Sequence, residues 1–431
     1  MRKALIIVIL AAAAPVLLHA QTGFSAYPNP ELAEAISKSH PIASLNACPY
    51  DLAVTPGPDT RAPRGYKPFY ISHYGRHGTS YGWDQGRYEF LISTLQAAKD
   101  EGMLSGKGDS LLCETRIISD ACNGMEGRLT RRGQIEHREI AGRMYKRFHR
   151  VFHRGNRQIR VISSTVPRCL VSMASFTNRL QTLDPKLSIS MDCGERIQKE
   201  VTNGAPAELR DASRPVMDSM WNAMSADYGA MIRPLFASEE AAARLVPDQR
   251  RFADALFGTA RTSFSFDVPF DLYRYVPLDV MYTFMEYYNI RMYLMQCNSL
   301  AYGDMRMKTA VPLWQNIVRC AEEAIAGNGP AADLRFGHDY PLLALCSMMG
   351  LQGIGERYTL EQARRQFFTT DYSPFAGNLQ LVFYCSRKAG KPVLVKILLN
   401  ENETRIPGLE PVCGPFYKWK ELRDSVLAKN Y

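Results

Sequence analysis

The sequence predicts an α/β fold in which a helix-covered, mainly parallel sheet is interrupted by a mostly α-helical insertion. Three observations predict it. Short apolar runs alternate with helix-period segments as far as residue 192 and again from residue 332. Strand-length runs bounded by turn residues and alternating with helices are the pattern of a sheet covered by helices. Between them, residues 193–331 carry helical patterning punctuated by Pro and Gly, with no strand signal. The core is therefore assigned to residues 21–192 and 332–431, and the insertion to 193–331.

The elements follow in order. Arg2 and Lys3 precede an apolar stretch, Leu5 to Leu18, and Ala20 stands before Gln21. This is an export signal over residues 1–20, cleaved near Ala20, so a periplasmic or secreted protein is expected. The stretch is shorter than the roughly 20 apolar residues a spanning helix needs, and no later segment is long and apolar enough. Residues 21–66 are expected to wrap the surface, with a short helix at Pro30–Ser39. Lys67–His73 reads as a buried strand and Gly78–Gly86 as a loop. Arg87–Glu101 reads as a helix with Phe90, Leu91, Leu95 and Ala98 on one face. Thr130 is a good N-cap for the next helix, where Ile140, Met144 and Phe148 recur every four residues. Ile159–Ser163 is a strand, Pro167 opens a helix, and Leu187–Met191 is a further strand. Leu278–Leu300, dense in Tyr, Phe and Met, is the longest helix and reads as core. Leu334–Gly337 is a strand followed by a helix over Pro341–Met349. Leu379–Cys385 and Val393–Leu399 pair as a hairpin.

Composition narrows the function. Of 431 residues, 46% are hydrophobic and 22% charged, which is ordinary for a globular protein and excludes a disordered chain. The formal charge of +9 suits an anionic partner: a phosphorylated small molecule, nucleic acid or an anionic surface. No zinc-finger spacing, RNP-like strand or heptad zipper supports nucleic acid. Ten cysteines in an exported chain permit disulfides. Cys113 and Cys122 read as flanking a short polar loop and are the first pair expected to bridge. Cys169 and Cys346 lie in helical segments and read as small buried residues. No Cys/His spacing suits zinc, so no metal site is expected. Asn402-Glu403-Thr404 is a glycosylation sequon, meaningful only in a eukaryotic host.

The chemistry lies where strands end. Arg76-His77-Gly78 follows the first strand, Arg168 stands at the start of the helix after the second, and His338-Asp339 follows the strand at 334–337. In an α/β sheet such carboxyl ends converge on one crevice. A neutral imidazole can attack phosphorus, and cationic donors can surround the equatorial oxygens on which transition-state charge collects. His77 is the candidate nucleophile, Arg76, Arg168 and His338 the phosphate ligands, and Asp339 the proton donor. Thr79, Ser80 and Arg87 are further candidate substrate contacts. His73 is expected to pack beneath the site. Arg131, Arg132, Arg196, Lys199, Arg210 and Arg214 are expected to be solvated, although those of the insertion could meet outlying phosphates.

The segments Arg76-His77-Gly78, Leu129-Thr130-x-x-Gly133, Ser164-Thr165-x-x-Arg168 and His338-Asp339, with the closing strand Val393–Asn400 before Glu401, resemble the histidine phosphatase superfamily. The likeness is to its acid phosphatase and phytase branch, and it extends across most of the mature chain. It implies a phosphoglycerate-mutase-like core with a helical insertion. It also implies a phosphohistidine intermediate on His77, phosphate binding by Arg76, Arg168 and His338, proton donation by Asp339, and no cofactor. Tyr287–Ser299 and Pro415-Phe416-Tyr417-Lys418 look most like the multiple inositol-polyphosphate phosphatases, which implies inositol polyphosphates such as phytate as substrates. Two departures bear on that implication. Ser80 and Gly82 stand where the branch has Arg and Pro, and His338-Asp339-Tyr340 stands where inositol-polyphosphate phosphatases carry His-Ala-Glu. Two outcomes are open: Arg87 or a residue from elsewhere supplies the missing cation, or the site is simply weaker. The alternatives are a broad acid phosphatase acting on sugar or other small phosphomonoesters, a non-catalytic binder of phosphorylated ligands, a mutase, and a basic adhesin.

Overall fold

A computed structural model describes residues 24–153, 157–429 and 431. The expected leader, residues 1–20, lies outside them. Eight strands form one sheet: β1 (Tyr66–Arg76), β2 (Gln158–Ser163), β3 (Ser188–Asp192), β4 (Ala332–Gly337), β5 (Asn378–Ser386), β6 (Leu394–Leu399), β7 (Asn402–Glu403) and β8 (Phe416–Lys418). Their order is β3-β2-β4-β1-β5-β6-β7, with β8 also on β6. The pairs β2–β3, β2–β4 and β1–β4 are parallel, whereas β5 to β8 join antiparallel. The sheet is thus mixed, its parallel half carrying the strand ends that bear the polar motifs.

The period-2 alternation of each central strand feeds two cores. Tyr70 and Tyr74 of β1 pack on one face with Leu379, Leu381 and Phe383 of β5 and Val395 and Ile397 of β6. Ile71, Val382, Leu394 and Leu398 point to the other face, against Ile140, Met144 and Phe176. Such strands, buried on both sides, need near-continuous apolar runs, which is why they were visible in the sequence.

A third core is helical. It gathers Leu91, Leu95, Leu111 and Leu112 from the helices Gln85–Asp100 and Gly106–Cys122, with Phe252, Leu256 and Phe257 from Gln249–Ser263. Between β3 and β4 every regular element among the described residues is helical. The helix Leu278–Gln296 belongs to two cores: Val280, Phe284 and Met285 pack in the helical lobe, Ile290, Tyr293 and Leu294 against the sheet. Its Tyr, Phe and Met content is therefore packing.

One expectation is corrected. Cys113 and Cys122 do not flank a loop: both lie in the helix Gly106–Cys122, Cys113 exposed and Cys122 buried. The rigid helix points them to different surroundings, and all ten cysteines are free. Cys169 and Cys346 are buried, as expected. Among the described residues no helix is long and apolar enough to cross a membrane, and no group of three or more His, Cys, Asp or Glu could hold a metal ion.

Candidate active site

β1 ends at Arg76, and the chain continues into His77 with its backbone held on both sides. The His77 amide donates to the Gly337 carbonyl (2.9 Å), and its carbonyl accepts from Ala376 (3.0 Å). The loop then runs directly over the start of the helix Arg131–Arg147. A Cβ on Gly78 would lie 2.5 Å from the Gly133 oxygen, and one on Gly133 would lie 2.4 Å from the Thr79 oxygen. Both motif glycines are there because backbone meets backbone at this crossing. Thr130 caps the helix, its hydroxyl accepting from the Gly133 amide (3.1 Å).

Three strand ends meet as the sequence predicts. Arg76, His77, Arg168, His338 and Asp339 line one cavity of about 320 Å³. The His77 Nδ1 lies 2.9 Å from the Gly78 carbonyl, which can only accept. Nδ1 therefore carries the proton, and Nε2 keeps the free lone pair. Burial, then Arg76, Arg168 and His338, hold the His77 pKa well below its ordinary value. Its ring lies 5.7 Å, centroid to centroid, from that of His338.

His338 is fixed from four directions. Its Nδ1 is 3.2 Å from an Arg168 amine, its Nε2 is 3.1 Å from the Ser164 hydroxyl, Tyr340 stacks on it at 5.0 Å, and its amide donates to the Tyr74 hydroxyl (3.1 Å). Arg168 must donate, so Nδ1 accepts and Nε2–H faces Ser164. Burial and Arg168 lower its pKa to about 4. The Arg168 guanidinium in turn lies over the indole of Trp83, 4.1 Å from the ring centre.

Asp339 opens the helix Asp339–Met349. Its carboxylate accepts from the Asn46 side-chain amide (2.6 Å) and the Tyr340 N–H (2.8 Å), and lies 3.5 Å from Arg76. Burial alone would raise its pKa. Arg76, the Asn46 amide, His338 and the Tyr340 N–H outweigh that and lower it. The free site thus holds an anionic Asp339, the opposite of the protonated state a proton donor must reach.

The further candidates divide. Ser80 and Arg87 line the cavity. Arg87 rests over Gly258, where a Cβ would lie 2.4 Å from its guanidinium, and pairs with Asp84 at 3.5 Å. Thr79 does not join them: its amide and hydroxyl both donate to the buried Glu136 (2.8 and 2.6 Å). Glu136 binds the Tyr50 amide as well (2.9 Å), so it knits the loop to the N-terminal segment. His73 packs below the site against Phe176 and Phe336. Cys169, its thiol raised to about 12 by burial, packs against His338. Arg132 pairs with Asp51, Arg196 with Asp192 and Arg214 with Asp211, and none of the six arginines and lysines expected to be solvated lines the cavity.

Sequence reasoning missed Asn46, Trp83 and Arg261, which also line the cavity. Arg261 comes from the helix Gln249–Ser263 and donates to the Ser44 carbonyl (3.2 Å) and the Asn46 side-chain oxygen (2.9 Å), with Tyr288 beneath it at 4.9 Å. Its hydrogen-bond partners are uncharged, so its charge stays available to the cavity.

A mixed sheet with helices on both faces and a helical lobe thus bring three strand ends to one cavity. Searched against models of known protein families, the sequence matches none. Among solved structures it is similar to the multiple inositol polyphosphate phosphatase of Bifidobacterium longum in complex with inositol hexasulfate. The TM-score is 0.73 and the identity 18%, over 90% of this chain and 98% of that one. It is also similar to the phytase from D. castellii, with a TM-score of 0.65 and 12% identity over 90% of this chain and 85% of that one. The Hafnia alvei apo phytase gives a TM-score of 0.52 and 13% identity over 85% and 98%.

Proposed function

We propose that the chain is an exported histidine phosphatase that hydrolyses phosphomonoesters through a phosphohistidine on His77. One observation carries the reading: Nδ1 of His77 is bound to the Gly78 carbonyl, so its free lone pair is on Nε2, in a cavity lined by Arg76, Arg168 and His338. In the first step the Nε2–P bond forms and the ester O–P bond breaks, and the leaving alkoxide takes a proton from Asp339. In the second, water attacks phosphorus, Asp339 takes back the proton, and the N–P bond breaks to release phosphate.

The substrate class follows from charge. Besides Arg76 and Arg168 next to His77, Arg87 and Arg261 stand in the cavity wall, which favours a substrate bearing more than one phosphoryl group. Phytate fits this, and the B. longum relative is described with inositol hexasulfate bound. Ser80 in place of arginine and the pairing of Arg87 with Asp84 favour the second reading, a broader acid phosphatase on sugar phosphates. Phosphate release from phytate, sugar phosphates and p-nitrophenyl phosphate decides between them. Acid-labile phosphoryl trapping on the chain tests the intermediate, and its absence during turnover overturns it.

A pH expectation follows from the two shifts. His77 is neutral to well below its ordinary pKa, so the nucleophile stays competent into acid. Asp339 is anionic in the free site, so its proton must arrive with the substrate as the phosphate monoanion, whose further ionisation has a pKa of about 6. Measured across pH, kcat/KM for an alkyl phosphate is expected to be bell-shaped and to fall about tenfold per unit above pH ~6. A plateau into alkali would remove Asp339 from the acid's role.

A further inference from the structure

The segment before β1 carries a backbone irregularity that the site explains. His40–Ala47 forms a 3-10 stretch broken at Leu45, whose φ of 55° and ψ of −123° are outside helical space and unusual for a fully buried leucine. Residues held in such conformations persist only where their surroundings impose them, and they cluster at functional sites. On either side of the kink a carbonyl turns toward an arginine of the site, and one side chain lines the cavity. The Ser44 carbonyl accepts from Arg261, and the Asn46 carbonyl accepts from Arg76. The Asn46 side chain spans the two remaining partners. Its Oδ1 accepts from Arg261 (2.9 Å) and its Nδ2 donates to Asp339 (2.6 Å).

That arrangement fixes the amide's orientation. Arg261 can only donate and a carboxylate can only accept, so the amide cannot turn over without losing both bonds. We infer that Asn46 is a positioning residue for the proton donor, and that Arg261 acts on Asp339 through it, holding the carboxyl where the leaving oxygen departs. The inference rests on the phosphomonoesterase reading above. It gives a chemical reason for the kink: an undistorted turn would not present both the carbonyl and the side chain of one residue to Arg76, Arg261 and Asp339.

Leaving-group chemistry tests it. A nitrophenolate departs with little help, whereas an alkoxide needs its proton in the transition state, so a misplaced acid harms only the second. In Asn46→Ala, kcat for glycerol 2-phosphate is expected to fall about 10- to 100-fold with little change in KM, as a displaced catalytic group would cause. With p-nitrophenyl phosphate it should fall less than about threefold. Asn46→Leu keeps nearly the same volume but offers no donor to Asp339 and no acceptor to Arg261. It should show the same split, which covers the case in which the alanine variant fails to fold. Arg261→Gln combined with Asn46→Ala should be no worse than Asn46→Ala alone, since the arginine works through the amide. Equal losses on both esters in the folded variants would overturn the positioning role. An additive double variant would overturn the route through Asn46. If the unaltered chain releases phosphate from neither ester, or if His77→Ala retains turnover, it is the phosphomonoesterase reading that fails.

Discussion

His77→Ala is expected to lower kcat by about 10⁴-fold or more while leaving the fold intact, because under the proposed mechanism the variant has no group to take the phosphoryl. The imidazole is 4% exposed, and its ring bonds are the single contact to Gly78 and the packing on His338 and Phe375. Truncation leaves a polar cavity open to water. The backbone bonds to Gly337 and Ala376 that close the strand end are untouched. The charge effect acts in the opposite direction. Removing a neutral group leaves the Arg76 and Arg168 cations and the His338 ring in place, so phosphate should still bind, with a dissociation constant within about tenfold of the unaltered chain. Phosphate-release assays and phosphate binding by calorimetry, run together, check both halves. Retention of turnover, or loss of binding with it, would show that His77 is not the nucleophile.

Gly78→Ala is expected to have the second largest effect, and on both stability and activity. The added methyl would meet the oxygen, Cα and carbonyl carbon of Gly133 at 2.5, 2.8 and 2.9 Å. All three are backbone atoms at the start of a capped helix, so no rotamer change relieves them. The loop must lift from the helix, which draws Thr79 off the buried Glu136 carboxylate. Overpacking of this kind costs about 1–3 kcal/mol, and stranding part of a buried carboxylate adds to it. Because the loop begins at His77, a shift of about 1 Å should also cost about 10²-fold in kcat. Thermal denaturation beside steady-state kinetics measures the two losses. A variant with unaltered Tm would mean that the crossing has slack its geometry does not provide.

The parts of the site legible in the sequence were those delivered by strand ends. β1, β2 and β4 are apolar runs that stop at polar residues, so Arg76, His77, Arg168, His338 and Asp339 could be placed together from pattern alone. Asn46 and Arg261 were invisible for a physical reason. Asn46 reaches the cavity through a left-handed leucine in a segment with no periodicity, and nothing in the residue types marks such a turn. Arg261 is one arginine among several on an amphipathic helix, and only tertiary packing brings it to the pocket rather than to water. Thr79 went the other way. It was read as a substrate contact because it follows His77 closely, but its partner Glu136 lies in a helix whose charged sequence reads as solvated. The expected Cys113–Cys122 bridge failed because Gly106–Cys122, with two glycines in its first turn, looks like a loop and is a helix.

The helix Leu278–Gln296 has one end in the helical lobe and the other against the sheet, and Arg261 stacks on its Tyr288 while Asn289 anchors the Phe367 carbonyl and the Thr369 amide. A single 19-residue rod therefore runs from the wall that carries Arg261 into the core cluster that holds Tyr70 and Tyr74 of β1, the strand that ends at Arg76. Hinged closure of the lobe over an arriving ester would have to bend that rod or tear one of its packed ends. On the function proposed above, the spacing between Arg261 and the His77 Nε2 is then set before any ligand enters and works as a fixed gauge: an ester whose second anionic group stands at the wrong distance gains nothing from it.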